Sequence, residues 1–454
     1  MRHLKSIFLL VLLFGGVALT PAGVAANSLV WQAASNSVSA DIRGEALWPL
    51  LEDIAHQTGW HIFVEPGLDR KADVKFSHLN AGEALKKLLG DLNFAYVPQT
   101  NEADQLYVFA TTMRAATRAV NVVATNKVTV AKHIANELIL KVKPGTDIDA
   151  LAKSLGAKVI GRNDKLGLYR LQFADAAATD VALGQLKSNS DVATVEYNYL
   201  LDPPPPAQKI AGAPTGPVSL TLNPPGDNGR VIVGLIDTPI QSLGAELDPF
   251  LLKSVSVTGD NVAASSDPTH ATSMAETILR AMAAQGGSTS AEILPVDVYG
   301  NSELANTWNV ARGVQAAVDG GATVLNLSLG STSNSQVLND VLQQAMAAGV
   351  IVFAAGGNQP VTTPTYPAAD TGVIAVGATQ GGQLAPYSNY GSFLAIALPG
   401  ASVVYLGNQA YVVQGTSPAT AYATGIAAGT KSSTSQTWAQ ILAAMQQQYP
   451  VPAK

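Results

Sequence analysis

Cysteine is absent from the 454 residues, which excludes disulfide bridges, thiolate metal sites and cysteine nucleophiles. Charge is scarce too. Asp, Glu, Lys and Arg together make up 13% of the chain, and a net charge of −6 leaves no polycationic surface of the kind that binds nucleic acid. Beyond the N-terminus no segment is apolar enough to span a membrane. Oxygen-rich clusters are also missing: Asp297, Asp319 and Asp340 stand apart and read as solvated or capping side chains, so neither a metal site nor a cofactor is expected. What remains is rich in small and apolar residues, 47% hydrophobic with 40 glycines, and long enough for about three domains.

The first residues, "MRHLKSIFLLVLLFGGVALTPAGVAANS", set Arg2 and Lys5 before an apolar stretch that ends in small residues at Ala25-Ala26. This is a signal-peptide pattern over residues 1–26, and it predicts a secreted or periplasmic protein, with a bacterial envelope as the setting. An uncleaved anchor is the alternative, although Gly15, Gly16 and Pro21 break the run.

Residues 27–112 contain an internal repeat. "GEALWPLLED" (Gly44 to Asp53) recurs as "GEALKKLLGD" (Gly82 to Asp91), each flanked by short alternating runs, so two strand-helix-strand units are predicted. The region resembles the short N-terminal module of bacterial secretins and TonB-dependent receptors. That resemblance implies docking to an envelope protein; two unrelated amphipathic helices would look similar.

Residues 113–130 are polar and read as a linker. Residues 131–202 follow a βαββαβ pattern, with Thr146 or Asp147 opening the first helix. This segment resembles the propeptide of subtilisin-like proteases, which implies an intramolecular inhibitor; a free-standing ferredoxin-like binding domain has the same pattern. "DPPPP" (Asp202 to Pro206) and "AGAPTGP" then make a Pro/Gly-rich linker over 203–217.

From residue 218 to 454 the texture changes. "RVIVGLID", "AEILPVDVYG", "ATVLNLSLG", "GVIVFAAGGN" and "GVIAVGAT" are continuous apolar runs separated by helix-length segments, which predicts an α/β domain built on a doubly wound parallel sheet. Functional groups in such sheets gather at the carboxyl ends of strands. Asp237 ends the first run. His270, the only histidine after residue 202, opens an amphipathic helix. Ser417 lies in "QGTSPATAYATG", at the start of a helix lined with small residues. Alone, each has a bland reading: a turn residue, a structural histidine, a helix cap.

Together they run in the order Asp, His, Ser of subtilisins among the unrelated serine proteases. "DTP", "HATSMA" and "GTSPA" stand where that family has Asp-Thr/Ser-Gly, His-Gly-Thr-x-x-Ala and Gly-Thr-Ser-x-Ala, and "AAGGN" aligns with its oxyanion loop. The chain therefore resembles a subtilisin-like serine protease over about residues 228–445. The resemblance implies a serine endopeptidase made as a self-inhibited precursor, with Asp237, His270 and Ser417 as the triad. Asn358 would be the oxyanion donor, and Ser328, Leu329, Gly330, Ala355 and Gly356 would lie beside a peptide substrate. A pseudoprotease that binds peptides or an envelope protein without cleaving them is the rival. Departures stand at Pro239, at Ala271, at Ala421, where the family has proline, and at Pro418, where it often has methionine, and "RAMAAQGGSTSAE" lacks the ligands of a family-type calcium loop. If the last propeptide strand leads into the cleft, processing is expected between Tyr199 and Pro217.

Overall fold

The computed structural model describes residues 28–32, 37–97, 104–120, 132–202, 204–210, 220–223, 230–259 and 265–453. The expected signal peptide and residues 121–130, 203 and 211–217 of the two linkers lie outside them. The chain divides into two units, Met1–Lys127 and Val128–Lys454. Among the described residues no helix is long and apolar enough to cross a membrane.

In the first unit β1 (Ser28–Gln32) precedes the two repeats. Each folds as strand, helix, strand: β2 (Ser37–Ala46), α1 (Leu47–Thr58) and β3 (His61–Val64), then β4 (Lys71–Leu79), α2 (Ala81–Leu89) and β5 (Asn93–Val97). β6 (Gln105–Phe109) and β7 (Arg118–Ala119) complete two sheets, ordered β1-β2-β4 and β5-β6-β3-β7. The helices bury Leu50, Leu51, Ile54, Leu85, Leu88 and Leu89 in one core. β7 lies in the stretch read as linker, yet it pairs with β3 through Phe63↔Ala119 and Val64↔Arg118. Two residues are too few to show a period in sequence.

The second unit opens with β8 (His133–Val142), α3 (Ile148–Ser154), β9 (Lys158–Asn163), β10 (Leu168–Gln172), α4 (Ala176–Leu186) and β11 (Val192–Leu201). They form an antiparallel sheet ordered β11-β8-β10-β9. Asp147 and Asp175 cap the two helices by accepting backbone N–H groups.

The larger part follows in chain order: β12 (Gln208–Ile210), β13 (Thr221–Leu222), β14 (Ile232–Asp237), β15 (Val255–Ser256), α5 (His270–Ala283), β16 (Ser288–Thr289), β17 (Glu292–Asp297), β18 (Ala305–Asn306), α6 (Thr307–Asp319), β19 (Val324–Leu327), α7 (Gln336–Ala347) and β20 (Ile351–Ala355). Then come β21 (Ile374–Gln380), β22 (Gln383–Leu384), β23 (Ile396–Pro399), β24 (Ala401–Leu406), β25 (Gln409–Gln414), α8 (Thr416–Ser433) and α9 (Trp438–Gln448). The main sheet runs β15-β17-β14-β19-β20-β21, parallel along this whole path. Every residue of β14 and β19 is buried, the mark of strands covered on both faces. Val310, Val314, Val337 and Leu338 of α6 and α7 cover one face; Ile278, Ala423 and Ala427 of α5 and α8 cover the other.

The β8–β11 sheet docks on α6 and α7. Its alternate residues Ile139 and Leu168, with Leu201, join the core of Trp308, Val310 and Leu338, while Leu138, Leu140 and Leu171 face α3 and α4, as a period of two requires. Gly161 is bare because Trp308 lies on it; a Cβ there would stand 2.6 Å from Cζ2. Asn198 Oδ1 accepts from Trp308 N at 3.1 Å at the start of α6. Glu196 accepts from the Ser335 hydroxyl and from Gln336 N, at 2.8 Å, at the start of α7. Lys141 pairs with Asp340 at 2.7 Å, and Lys165 with Asp319. Asp319 stays solvated in its exposed pair, as expected, whereas Asp340 is half-buried against the preceding domain. Asp297 is a cap in a turn, accepting from Tyr299 N and Gly300 N.

Burial pushes the Glu196 carboxyl up to about 7, against the opposing pull of the Ser335 hydroxyl and the Val337 and Gln336 N–H groups. Because the folded value is raised, Glu196 takes up a proton on docking, and its contribution is full below pH 4.5 and lost as the pH rises through 7. In a Ser417→Ala chain, stability toward urea should fall by about 2 kcal/mol between pH 5 and pH 8. Glu196→Gln should flatten that slope; an identical slope in both proteins would rule out Glu196 as its origin.

Candidate active site

Asp237 is the last residue of β14 and is 1% exposed. Its Oδ1 accepts from Thr238 N at 2.7 Å, and His270 Nδ1 lies 2.8 and 2.9 Å from the two carboxylate oxygens. A carboxylate only accepts, so Nδ1 carries a proton, and in the neutral ring Nε2 carries the lone pair. That Nε2 is buried and has no hydrogen-bond partner among the described residues. Thr269 caps α5 by accepting from Thr272 N, and Thr238 Oγ1 accepts from Ala271 N at 2.9 Å. Strand end and helix start are thereby fastened together. Pro239 is accommodated, since His78 is the only non-glycine residue with positive φ among the described residues.

Helix α8 starts beside α5, and the register between them follows from glycine. A Cβ on Gly425 would lie 2.4 Å from Ile278 O, and one on Gly429 would lie 3.2 Å from Met282 Cα. Gly425 and Ile278 each stand eight residues, about two turns, beyond Ser417 and His270. The helices thus run parallel and in step, which brings His270 and Ser417 to the same level. The small residues after Ser417 serve this backbone-close contact. Ser417 is not the helix cap; Gly415 holds that position, at φ 143°. Ser417 Oγ donates to Ser328 O at 3.2 Å and not to His270.

A cleft of about 390 Å³ opens at Ser417, between Ser328, Leu329 and Gly330 on one side and Ala355, Gly357 and Asn358 on the other. Gly356, expected in this wall, is absent from it. Its N–H donates to Val376 O at 2.9 Å, and a Cβ there would meet Leu394 Cδ2 at 2.5 Å, so it faces the core. Successive residues of an extended chain face opposite sides, and Gly357 takes the wall position. Asn358 Oδ1 accepts from Thr416 N at 2.7 Å and from Thr416 Oγ1 at 3.0 Å. A backbone N–H can meet only the amide oxygen, which fixes the flip of the side chain. Nδ2 makes no hydrogen bond among the described residues. Thr416 Oγ1 in turn accepts from Gly357 N at 3.1 Å.

Two contributors escape sequence reading. Asn389, 3% exposed, accepts from Gln359 N at 2.8 Å and donates to Thr365 Oγ1 at 3.0 Å, bracing the loop that carries Asn358. Thr416 could have been found, because it sits inside the Gly-Thr-Ser motif; Asn389 has no such signal. The preceding domain enters the cleft as well. β11 pairs with β18 through Leu200↔Asn306 and Leu201↔Ala305, Asp202 N donates to Gly330 O at 3.0 Å, and Asp202, Pro204 and Pro205 line the same cleft as Ser417. Part of the stretch read as a bare spacer is β12, paired with β25. An edge offered by a distant hairpin leaves no local trace. No three His, Asp or Glu residues cluster as metal ligands among the described residues.

Residues 228–449 match the model of the subtilase family. This domain belongs to that family. Residues 119–198 match the fervidolysin N-terminal prodomain, a match that begins before the boundary expected at 131. The chain is similar to a thermostable alkaline protease of Halalkalibacterium halodurans, 36% identical over 169 residues, which is 36% of this chain and 47% of the relative. It is also similar to subtilisin Savinase of Lederbergia lenta, 38% identical over 165 residues, 35% of this chain and 61% of that one. The chain thus spans about half the length of such curated relatives. Among solved structures, fervidolysin of Fervidobacterium pennivorans superposes with a TM-score of 0.50 at 19% identity, over 65% of this chain and 54% of its own. The epidermin leader peptide processing protease of Staphylococcus aureus gives 0.51 at 16%, over 65% and 88%. These two matches establish a subtilisin-like fold.

Pro418 follows Ser417 and cannot oxidise as a thioether would, and Met274, one turn beyond His270, is fully buried. Peroxide should therefore leave labelling of Ser417 by a fluorophosphonate nearly unchanged. Rapid loss of labelling that tracks an oxidised Met274 would contradict this.

Proposed function

We propose that the chain is a serine endopeptidase of the subtilisin type, exported from the cytoplasm and held latent by its own N-terminal segments. The carrying observation is the buried Asp237–His270 pair with its unpartnered Nε2, at the head of a helix in step with the one that presents Ser417. Turning Ser417 about χ1 releases Ser328 O and offers Oγ to that nitrogen; such bonds commonly tighten only when substrate is present. His270 then takes the proton as Oγ attacks a peptide carbonyl, and Asp237 keeps the imidazole in the required tautomer and steadies its positive charge. Asn358 Nδ2 and the Ser417 N–H receive the oxyanion. His270 returns the proton to the departing amine, and water repeats the sequence on the acyl-enzyme.

Latency follows from the strap that Asp202, Pro204 and Pro205 form along the cleft. Pro204 and Pro205 line the cleft of Ser417, and their imide nitrogens have no N–H to pair with the groove, so the precursor presents its own serine with a poor substrate. Processing at the bonds from Ala207 to Ala213 or at Leu200-Leu201 requires the strap to shift. The first unit, through its resemblance to secretin-type modules, would tether the precursor to an envelope protein.

The Ser417 Oγ to Ser328 O bond favours a second reading, a peptide-binding pseudoprotease. A fluorophosphonate separates the two: the protease reading expects a covalent adduct at Ser417 after processing, and the binding reading expects none. In an active preparation Asn358→Ala should lower kcat by roughly 100- to 1,000-fold with KM nearly constant, the size of effect known for one such donor in a subtilisin. A change confined to KM would make Asn358 a ground-state binding residue. The Ser417→Ala chain should stay full length where the wild type is cut, and equal trimming of both would exclude self-processing.

A further inference from the structure

Strand β12 is held shallowly. Gln208 and Lys209 are exposed and Ile210 is half-buried, yet they extend the β24–β25 hairpin in antiparallel register: Gln208↔Val412, Lys209↔Tyr411 and Ile210↔Ala410. Two side-chain ties reinforce the pairing. Gln409 Nε2 donates to Ile210 O at 3.1 Å. Lys209 Nζ lies 3.0 Å from Asp267 Oδ1, which also accepts from the Tyr411 hydroxyl at 3.2 Å. Nothing in this attachment requires β12 in particular. Main-chain pairing is available to any extended segment, and Asp267 asks only for a cation.

Position gives the attachment a meaning. β25 leads directly through Gly415 and Thr416 to Ser417, so its edge continues the cleft. On the other side of Ser417 the same chain is bonded to Gly330 through Asp202 N, with Pro204 and Pro205 lining the cleft between these anchors. A polypeptide on this path has its acyl side against Gly330 and its leaving-group side along β25.

We propose that the edge of β25, with Asp267 and Gln409, is a binding strand for the leaving-group side of an extended polypeptide substrate that carries lysine or arginine opposite Asp267, and that Gln208–Ile210 occupies it in the precursor. The proposal rests on the protease reading above. Backbone pairing supplies affinity whatever the sequence, and Asp267 supplies the selection. With the Pro204-Pro205 bond set at Ser417, Lys209 is the fifth residue on the leaving-group side. The substrates favoured are segments that can lie extended well past the cut, with a basic residue five positions after it.

Two internally quenched peptides test this, identical except for lysine or glutamate at the fifth position after the scissile bond. Processed wild-type enzyme should cleave the lysine peptide with a kcat/KM about 5-fold higher, the scale of one half-exposed charge pair, and Asp267→Lys should invert the preference. Cleavage of both peptides with no discrimination in either protein overturns the proposal, including in an enzyme that keeps Gln208–Ile210 at its N-terminus. In freshly purified full-length chain, Lys209→Glu and Asp267→Lys should each speed hydrolysis of a short peptide anilide that ends before β25, and the double exchange should restore latency. Unchanged latency in both single variants also overturns it. Failure of the processed chain to label with a fluorophosphonate would instead overturn the protease reading itself.

Discussion

Asp237, the last residue of β14, has almost no contact with solvent, and its carboxylate oxygens must be satisfied within the protein. A buried carboxylate without partners costs several kcal/mol. Thr238 N and His270 Nδ1 meet that demand, and both come from a fixed place: the turn leaving the strand and the first residue of α5. The Thr238 hydroxyl ties the same turn to Ala271 N. The helix therefore cannot start elsewhere without exposing the carboxylate to an empty interior, and the site inherits its precision from that requirement.

From this anchor the geometry propagates along α5. Ile278 and Met282 lie against Gly425 and Gly429, and any larger residue at Gly425 would drive into the carbonyl of Ile278. Steric contact between two backbones is stiffer than contact between flexible side chains, so the level of Ser417 relative to His270 is set by glycine. Thr416 then carries the constraint sideways, since its N–H and hydroxyl hold Asn358 Oδ1 while its Oγ1 receives Gly357 N. Ser417, His270 and Asn358 are thus connected through main-chain groups.

Strand β11 couples the preceding domain to this arrangement. It is the strand of its sheet that pairs with β18, and its Glu196 and Asn198 serve the N-terminal N–H groups of α7 and α6. Helix N-termini favour negative charge and acceptors, so the docking interface satisfies groups that would otherwise face water. The same strand runs on into Asp202 and the prolines. Docking and occupation of the cleft are two ends of one element, and loosening either weakens the other.

The parallel α/β core is legible in the residues alone, because strands buried on both faces read as unbroken apolar runs. The candidate residues Asp237, His270, Asn358 and Ser417 stand out in the sequence because each follows a strand or opens a helix, where local signals are strong. The βαββαβ order before the prolines is legible as well, with the first cap left between Thr146 and Asp147 until the structure gives it to Asp147. Tertiary structure decided the rest. Gly356 and Gly357 are indistinguishable in sequence, and only the direction of the chain at that point turns one to the core and the other to the cleft. Asp340 reads as solvated until another domain's lysine covers it. Residues 208–210 read as spacer because strand pairing is a property of two segments, and the partner edge at 410–412 is about two hundred residues away. Periodicity and capping are written into neighbouring residues, whereas an edge, a buried wall or an ion pair exists only after distant segments meet.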